Sequence, residues 1–173
     1  MAYLRLVEPS VALEKEYRDM LHDWQMTGEP LIPFVLKMDA ADFGEMVRQL
    51  HGYRQGIGVP ATFVPHATYW LIDGENKILG VVNIRPYLNQ ALRKRGGHIG
   101  YGVRPSERRK GYATRMLQLA LAEAKGMGIK KALITCDKAN TGSARVIMGN
   151  SGILEAEETI AGVLVQRYWI EIN

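Results

Sequence analysis

Apolar and polar positions in the first third of the chain alternate in ways that predict one strand and two helices. Tyr3 to Val7 alternates with the period of a strand, and Pro9-Ser10 favours a helix start before Val11 to Gln25. A second helix, with Asp39 as its cap, is predicted from apolar residues at helical spacing, namely Phe43, Met46, Val47 and Leu50. The glycine-rich stretch from Gly52 to Pro65 is expected to be a loop, and loops of this length are often functional.

The middle of the chain changes to β-branched and aromatic residues, which are typical of strands. Thr68 to Ile72 and Lys77 to Ile84 flank the turn sequence Asp73-Gly74-Glu75-Asn76, which predicts a hairpin. A third strand is predicted over Gly97 to Arg104, although three of its residues are glycines. Because glycine weakens a strand, the segment indicates a bulge or a ligand held close to the backbone. A loosely twisted edge strand is the alternative.

The clearest helix follows this glycine-rich strand. Its apolar face consists of Ala113, Met116, Leu117, Ala120, Leu121 and Ala124, and Gly126 and Gly128 end it. The next predicted elements are a strand over Lys131 to Asp137, a helix over Asn140 to Gly149, and two strands over Ile153 to Glu158 and Val163 to Ile172. A strand, helix and strand in this length form a crossover unit, which predicts two parallel strands. The fold class is therefore α/β or α+β, with a mixed sheet.

Composition limits the class of protein further. The 173 residues are 47% hydrophobic and include one cysteine, which excludes an intrachain disulfide scaffold. No apolar run approaches the roughly 20 residues of a membrane span, and no signal peptide is evident. We therefore expect a single domain in the cytoplasm, without membrane contact.

Positive charge is concentrated in one segment. Residues 93–115 contain eight basic residues and one acid, a local charge of +7, whereas the rest of the chain nets −3. This distribution favours an anionic ligand at one place. A nucleic-acid surface is the alternative, but aromatic residues are not interleaved with these bases, so no nucleic-acid partner is expected.

The basic segment coincides with a predicted junction between the glycine-rich strand and the long helix. The amides at a helix N-terminus bind phosphate, and Gly111 and Ala113 keep side chains out of the way there. A solvated basic loop remains the alternative. The junction has neither the Walker pattern nor the three glycines of a dinucleotide fingerprint, so a different phosphate-bearing ligand is expected.

The residues of this junction resemble a known family. Arg108-Arg109-Lys110-Gly111-Tyr112-Ala113 is similar to the Arg/Gln-x-x-Gly-x-Gly/Ala signature of the GCN5-related N-acetyltransferases (GNAT). Ile99 to Pro105 resembles the fourth strand of that family, and Asn140 to Arg145 resembles the Asn-x-x-Ser/Ala start of a later helix. The resemblance extends from Ile78 to Gly152 and is greatest to a bacterial branch of predicted acetyltransferases.

The resemblance implies a fold and a division of the chain. The expected fold is a mixed, mostly antiparallel central sheet of about six to seven strands, with a parallel strand pair at the cofactor cleft and about four flanking helices. Residues 1–173 are expected to form one N-acetyltransferase domain. Within it, residues 1–65 are the variable N-terminal part, 66–152 the cofactor-binding core and 153–173 a C-terminal hairpin.

The resemblance also implies that the cofactor is acetyl-coenzyme A. Its pyrophosphate is expected on the loop formed by Arg108, Arg109, Lys110, Gly111, Tyr112, Ala113 and Thr114. Its pantetheine arm is expected along Tyr101, Gly102 and Val103. Asn140 and Ser143 are candidates for polar contacts to the cofactor, or else an ordinary helix cap and first-turn residue. No metal site is expected.

The implied reaction is direct attack of an amine on the thioester in a ternary complex. The amide of Val103 is the candidate donor to the oxyanion. His98 is the candidate base, because an imidazole titrates near neutral pH, although a purely structural histidine is equally consistent with its position. Tyr101 and Asp137 are weaker candidates for this role.

One departure from the family concerns the proton donor to the leaving thiolate. Many members carry a tyrosine seven residues after the helix-opening asparagine, where this chain has Ile147. Tyr168 is a possible substitute, or the thiolate leaves unassisted, or the protein is a non-catalytic acyl-coenzyme A binding or regulatory module. Cys136 is interpreted as a small buried hydrophobic residue. The expected acceptor is a small-molecule or peptide amine, and a homodimer is possible.

Overall fold

The structure is a computed structural model that describes residues 3–173, and it contains seven strands and five α-helices. The strands are β1 (Arg5–Val7), β2 (Ala67–Ile72), β3 (Ile78–Ile84), β4 (Ile99–Val103), β5 (Lys131–Asp137), β6 (Ile153–Ile160) and β7 (Val163–Glu171). The helices are α1 (Glu14–Gln25), α2 (Phe43–Arg54), α3 (Gln90–Lys94), α4 (Tyr112–Gly126) and α5 (Thr141–Gly149). Short 3₁₀ helices occupy Val11–Leu13, Phe34–Lys37 and Pro105–Glu107.

The strands form two antiparallel sheets. One sheet has the order β1-β2-β3-β4 and the other has the order β5-β7-β6. Every ladder within residues 3–173 is antiparallel, so the predicted parallel pair is not confirmed. The edge strand β4 approaches the edge strand β5 through one bridge, between Gly97 and Ile134. Beyond that bridge, no strand among residues 3–173 pairs with the outer edge of β4.

Two hydrophobic clusters lie on opposite faces of the four-stranded sheet. Because successive side chains of a strand point to opposite faces, Tyr69 and Leu71 belong to one cluster and Trp70 and Ile72 to the other. The first cluster packs β2, β3 and β4 against α4, α5 and the second sheet, and the second packs the sheet against α1 and α2. This packing holds the N-termini of α4 and α5 beside the unpaired edge of β4.

Two local features differ from the prediction: the cap of α2 and an additional short helix. Helix α2 is capped by Asp42, whose carboxylate accepts from the Glu45 amide at 2.9 Å, whereas Asp39 accepts from the Ala41 amide in the preceding turn. Helix α3 was not predicted, since five mostly polar residues show no apolar period. It brings the count to five helices, where about four were expected.

Candidate active site

A cleft with a volume of about 620 Å³ lies between the unpaired edge of β4 and the N-termini of α4 and α5. Nearly every residue predicted to bind the cofactor lines it: Tyr101, Gly102, Val103, Arg108, Arg109, Gly111, Tyr112, Ala113, Thr114, Asn140 and Ser143. Lys110 is the exception among them, because its Nζ turns away to Glu107 at 2.8 Å. The predicted residues therefore meet in one place, although they come from three separate elements.

The loop before α4 has the backbone of an anion-binding nest. Arg109 has φ 65° and Gly111 has φ 83°, and Gly111 caps α4 without a side-chain hydrogen bond. Left-handed residues next to ordinary ones turn successive amides toward one point, and the first amides of a helix lack intrahelical acceptors. A left-handed arginine costs about 1–2 kcal/mol, and such strain occurs preferentially at ligand sites.

Three of the eight cations of the basic segment are paired with acids from elsewhere in the chain. Arg95 contacts Asp137, Arg104 contacts Asp23, and Arg108 forms two hydrogen bonds to Glu29, at 3.0 and 2.7 Å. Lys110 pairs with Glu107 inside the segment. The remaining four have no acidic partner within residues 3–173, and of these only Arg109 lines the cleft. The segment is therefore partly neutralised, and Arg109 is its unpaired cation at the signature loop.

The unpaired edge of β4 presents amides to the cleft. The Arg104 amide donates to the Leu79 carbonyl on β3 at 2.8 Å. Hydrogen-bonding directions alternate along a strand, so the amides of Tyr101 and Val103 point away from β3. The Val103 carbonyl on the same side accepts from Arg108 Nε at 3.3 Å. The predicted donor Val103 is thus oriented toward open space in the cleft.

The glycines of β4 are explained by protein packing. A Cβ at Gly102 would lie 2.1 Å from the Ile32 carbonyl oxygen and 2.8 Å from the Trp24 ring. A Cβ at Gly100 would lie 3.2 Å from the Arg85 guanidinium. A ligand held close to the backbone was the expected reason for these glycines, but packing within the protein is sufficient to explain them on this face of the strand. A segment of the N-terminal part occupies the space instead.

Tyr101 connects β4 to the start of α5. Its hydroxyl lies 2.9 Å from the Ser143 hydroxyl, and Asn140 caps the helix by accepting from the Ser143 amide at 3.0 Å. Burial raises the pKa of Tyr101 to about 12. The phenol is therefore protonated at neutral pH, and it lines the cleft.

His98 does not line the cleft. It is buried, with its Nδ1 accepting from the Leu133 amide at 2.9 Å and its ring 6.4 Å from that of Trp169. Burial, together with the charges of Arg85 and Arg93, lowers the pKa of His98 to about 4. This placement favours the structural interpretation of His98 and gives no support to its predicted role as a base.

Two of the remaining candidates, Tyr168 and Cys136, are buried in the core. The Tyr168 hydroxyl donates to Gln166 at 2.9 Å, and burial raises the thiol pKa of Cys136 to about 11. Asp137 is partly exposed and paired with Arg95 at 2.8 Å. None of these three residues lines the cleft, and Ile147, at the position of the family's usual tyrosine, is fully buried.

Sequence reasoning missed the N-terminal wall of the cleft. Trp24, Glu29, Pro30 and Ile32 line it opposite the signature loop, and the Arg108 guanidinium lies 5.8 Å from the Trp24 ring centre. These residues carry no recognisable motif, and the surplus of acids outside the basic segment is the one sequence signal that could have indicated partners for its cations. Within residues 3–173 no helix is long and apolar enough to cross a membrane, and no cluster of potential metal ligands occurs.

Comparison with known families decides the classification. A model of the acetyltransferase (GNAT) family matches residues 32–149, more than half of the chain and all but one of the strands and helices that form the cleft. The chain belongs to the acetyltransferase (GNAT) family. The resemblance predicted from the signature loop is thereby confirmed. No functionally curated protein matches this GNAT sequence.

Solved structures share the GNAT fold at low sequence identity. An acetyltransferase from Salmonella typhimurium that modifies the N-terminal serine of ribosomal protein L7/L12 is 18% identical, with a TM-score of 0.70 over 98% of this chain and 95% of that one. The microcin C7 self-immunity acetyltransferase MccE, solved with acetyl-CoA and AMP, is 19% identical, with a TM-score of 0.68 over 98% and 92%. A dodecameric spermidine N-acetyltransferase from Vibrio cholerae is 15% identical, with a TM-score of 0.62 over 98% and 93%.

Proposed function

We propose that this GNAT protein transfers an acetyl group from acetyl-coenzyme A to an amine. The observation that carries the proposal is that the signature loop, the unpaired edge of β4 and the start of α5 line one cleft. Such a cleft offers an anion site and a row of strand amides side by side. The structures of related fold that were solved with acetyl-CoA or coenzyme A support the same cofactor.

The cofactor's pyrophosphate is assigned to the loop from Arg108 to Thr114. The turned backbone at Arg109 and Gly111 supplies amides, and the cation of Arg109 has no carboxylate partner within residues 3–173. The pantetheine arm is assigned to the edge of β4 at Tyr101 to Val103, opposite Asn140 and Ser143 on α5. This assignment does not require the expected parallel partner strand for β4, because the pantetheine arm itself would occupy the open edge of β4.

The proposed reaction is a direct transfer in a ternary complex. The neutral amine nitrogen attacks the thioester carbonyl carbon, the amide of Val103 donates to the developing oxyanion, and the carbon–sulfur bond breaks. The amine loses a proton and the departing thiolate gains one, so protons balance without a covalent enzyme intermediate. No protein base is assigned, since Glu29 and Glu107 are ion-paired and His98 lies outside the cleft.

Tyr101 is proposed as the hydrogen-bond donor that stabilises the departing thiolate. A coenzyme A thiol has a pKa near 8.5, well below the value of about 12 to which burial raises that of Tyr101, so the phenol keeps its proton. The thiolate takes its own proton from solvent, and the Ser143 hydroxyl at 2.9 Å orients the phenol. This hydrogen bond replaces the proton donor that Ile147 leaves vacant.

Calorimetric titration with acetyl-coenzyme A tests the cofactor site. Gly111→Glu places a carboxylate where the pyrophosphate is assigned, so we expect at least a tenfold loss of affinity. Gly128→Glu is the matched control, because Gly111 and Gly128 share a left-handed backbone (φ 83° and 82°), a Cβ at either meets nothing within 4 Å, and Gly128 follows the far end of α4. Equal affinity in the two variants would remove the cofactor from this loop.

A turnover assay distinguishes an acetyltransferase from a second candidate function, an acyl-coenzyme A binding module that transfers no acetyl group. The observation favouring this second candidate is Ile147, which is buried at the position where the family's usual tyrosine stands. Free thiol release should be measured with acetyl-coenzyme A and a panel of amines, including a spermidine-like polyamine and peptides with a free N-terminal serine. Release that depends on the amine supports transfer, whereas cofactor binding with no release under any amine supports the binding module.

A further inference from the structure

A second cavity of about 210 Å³ lies at the opposite end of β4 from the signature loop. Its walls come from the segment before α2, the loop before β2, the end of β3 and helix α3. Phe34, Phe63, Val64 and Leu92 give it an apolar interior. Two buried polar side chains, those of Arg85 and His66, also line it. We call this cavity the Arg85 chamber.

Arg85 is a buried cation that has no carboxylate partner within residues 3–173. The residue is only 6% exposed, and Nη1 donates to the carbonyls of Gly96 and Gly97 at 3.1 and 3.2 Å. Burial alone lowers the pKa of Arg85 to about 10, so the guanidinium is charged at neutral pH. A buried charge is costly unless it is paired, and here the neutral carbonyls engage only one of its three nitrogens.

His66 lines the same chamber and has one unpartnered ring nitrogen. Its Nδ1 lies 2.8 Å from Asn83 Nδ2, and which ring nitrogen donates depends on the tautomer. Nε2 is buried and has no hydrogen-bond partner within residues 3–173. Burial and the charge of Arg85 lower the pKa of His66 to about 4, so the ring is neutral. In the tautomer protonated at Nε2, this nitrogen is a donor without an acceptor.

We propose that the Arg85 chamber binds the carboxylate of a small molecule with an apolar body. The guanidinium fork matches the two oxygens of a carboxylate, and His66 supplies a further donor in the tautomer protonated at Nε2, the atom that has no partner within residues 3–173. The aromatic and aliphatic walls accommodate a single ring or a short aliphatic chain, because the cavity is smaller than the usual 300–1,000 Å³ of a drug-sized site.

The proposal stands independently of acetyl transfer. The chamber and the cleft lie along the same strand, since the guanidinium packs on Gly100 and the cleft begins at Tyr101. The carboxylate therefore belongs either to the amine acceptor itself or to a separate molecule bound beside it. The chemistry recognised in the chamber is the same in both cases.

Titration with benzoate tests the chamber, with benzamide and benzylamine as neutral and cationic controls of similar shape. We expect benzoate to bind at least tenfold more tightly than either control, in the absence of coenzyme A. Equal binding of the three probes, or no binding of benzoate up to millimolar concentration, would overturn the proposal.

Variants locate the bound carboxylate. Arg85→Met should abolish benzoate binding and Arg85→Lys should weaken it, once circular dichroism shows that each variant is folded. If neither variant folds, Ala91→Glu and Ala91→Gln replace them, because Ala91 lies exposed on α3 at the chamber wall. The added carboxylate of Ala91→Glu should compete with benzoate for Arg85 and lower its affinity, whereas Ala91→Gln should not. Unchanged affinity in Ala91→Glu would place benzoate elsewhere.

The source of the carboxylate is distinguished by kinetics with any amine that supports thiol release. Competitive inhibition by benzoate assigns the carboxylate to the acceptor, which is then a molecule carrying both an amine and a carboxylate. An unchanged KM for the amine, with benzoate bound, assigns it to a separate small carboxylate. Both results retain the chamber as a carboxylate site, whether or not the acetyl-coenzyme A assignment holds.

Discussion

The hydroxyl of Tyr101 lines the cleft and lies 2.9 Å from that of Ser143. It comes from a strand, whereas the family's usual donor comes from the helix that here carries Ile147. Its partner Ser143 lies 42 positions later in the chain. The proposed partner of the thiolate is therefore on β4 and not on α5.

Tyr101→Phe removes this hydroxyl and leaves the ring. We expect the rate of amine-dependent thiol release to fall about 100-fold, as on loss of one hydrogen-bond donor to a developing charge, with acetyl-coenzyme A affinity unchanged. Rates of thiol release and calorimetric titration measure the two effects separately. Tyr87→Phe, at a largely exposed tyrosine, is the control and should change neither. An unimpaired rate in Tyr101→Phe would show that the thiolate leaves without this hydrogen bond.

At the scale of elements, β4 is packed on both faces and open on one edge. One face carries the large side chains of Ile99, Tyr101 and Val103, and the other carries only glycines, against Arg85 and the Ile32 segment. The segment around Ile32 therefore packs directly against the backbone of β4. With both faces of β4 covered, a ligand can reach the strand only at its open edge.

Gly102→Ala tests which partner requires the glycine. Its Cβ would clash with the Ile32 carbonyl, so we expect the free energy of unfolding to fall by about 1–3 kcal/mol. Gly126→Ala, where a Cβ meets nothing, should be neutral or stabilise the protein by up to about 1 kcal/mol. Urea denaturation measures both changes. Normal stability with a large loss of acetyl-coenzyme A affinity in Gly102→Ala would instead assign the glycine to the cofactor.

At the scale of the whole molecule, buried neutral histidines make stability depend on pH. Burial lowers the pKa of His66 and His98 to about 4, whereas both titrate near 6.5 in the unfolded chain. The unfolded state therefore binds protons first as pH falls. The stabilisation is complete above pH 6.5 and is lost progressively between 6.5 and 4, by at most about 3 kcal/mol for each histidine.

Urea denaturation at pH 7, 6 and 5 measures this loss. We expect His98→Gln to reduce the difference between pH 7 and pH 5, because a glutamine does not titrate. His22→Gln is the control, since His22 is exposed on α1. The carboxylates of Asp23 and Glu107 have lowered pKa values through hydrogen bonds and cations nearby, so their contribution is lost at still lower pH. An identical pH dependence in His98→Gln would exclude His98 as a source.

Local patterns in the sequence were sufficient to predict the main strands and helices and the loop at Gly111. Periodicity, turn residues and a signature motif each depend on neighbours within a few positions, so no tertiary information is needed. The distribution of charge along the sequence indicated an anion site as well, since the cations of the basic segment are close together in sequence. The short helix α3 was missed since five mostly polar residues leave no periodic signal.

Contacts between distant residues were decided only when the chain packed. Glu29 meets Arg108 across 79 positions, Arg104 meets Asp23 across 81, and the Ile32 carbonyl closes on Gly102. The burial of His98, the pairing of Tyr101 with Ser143 and the two donors of the Arg85 chamber arise in the same way. Burial and pairing depend on which surfaces the hydrophobic clusters bring together, and no local pattern of residues specifies that.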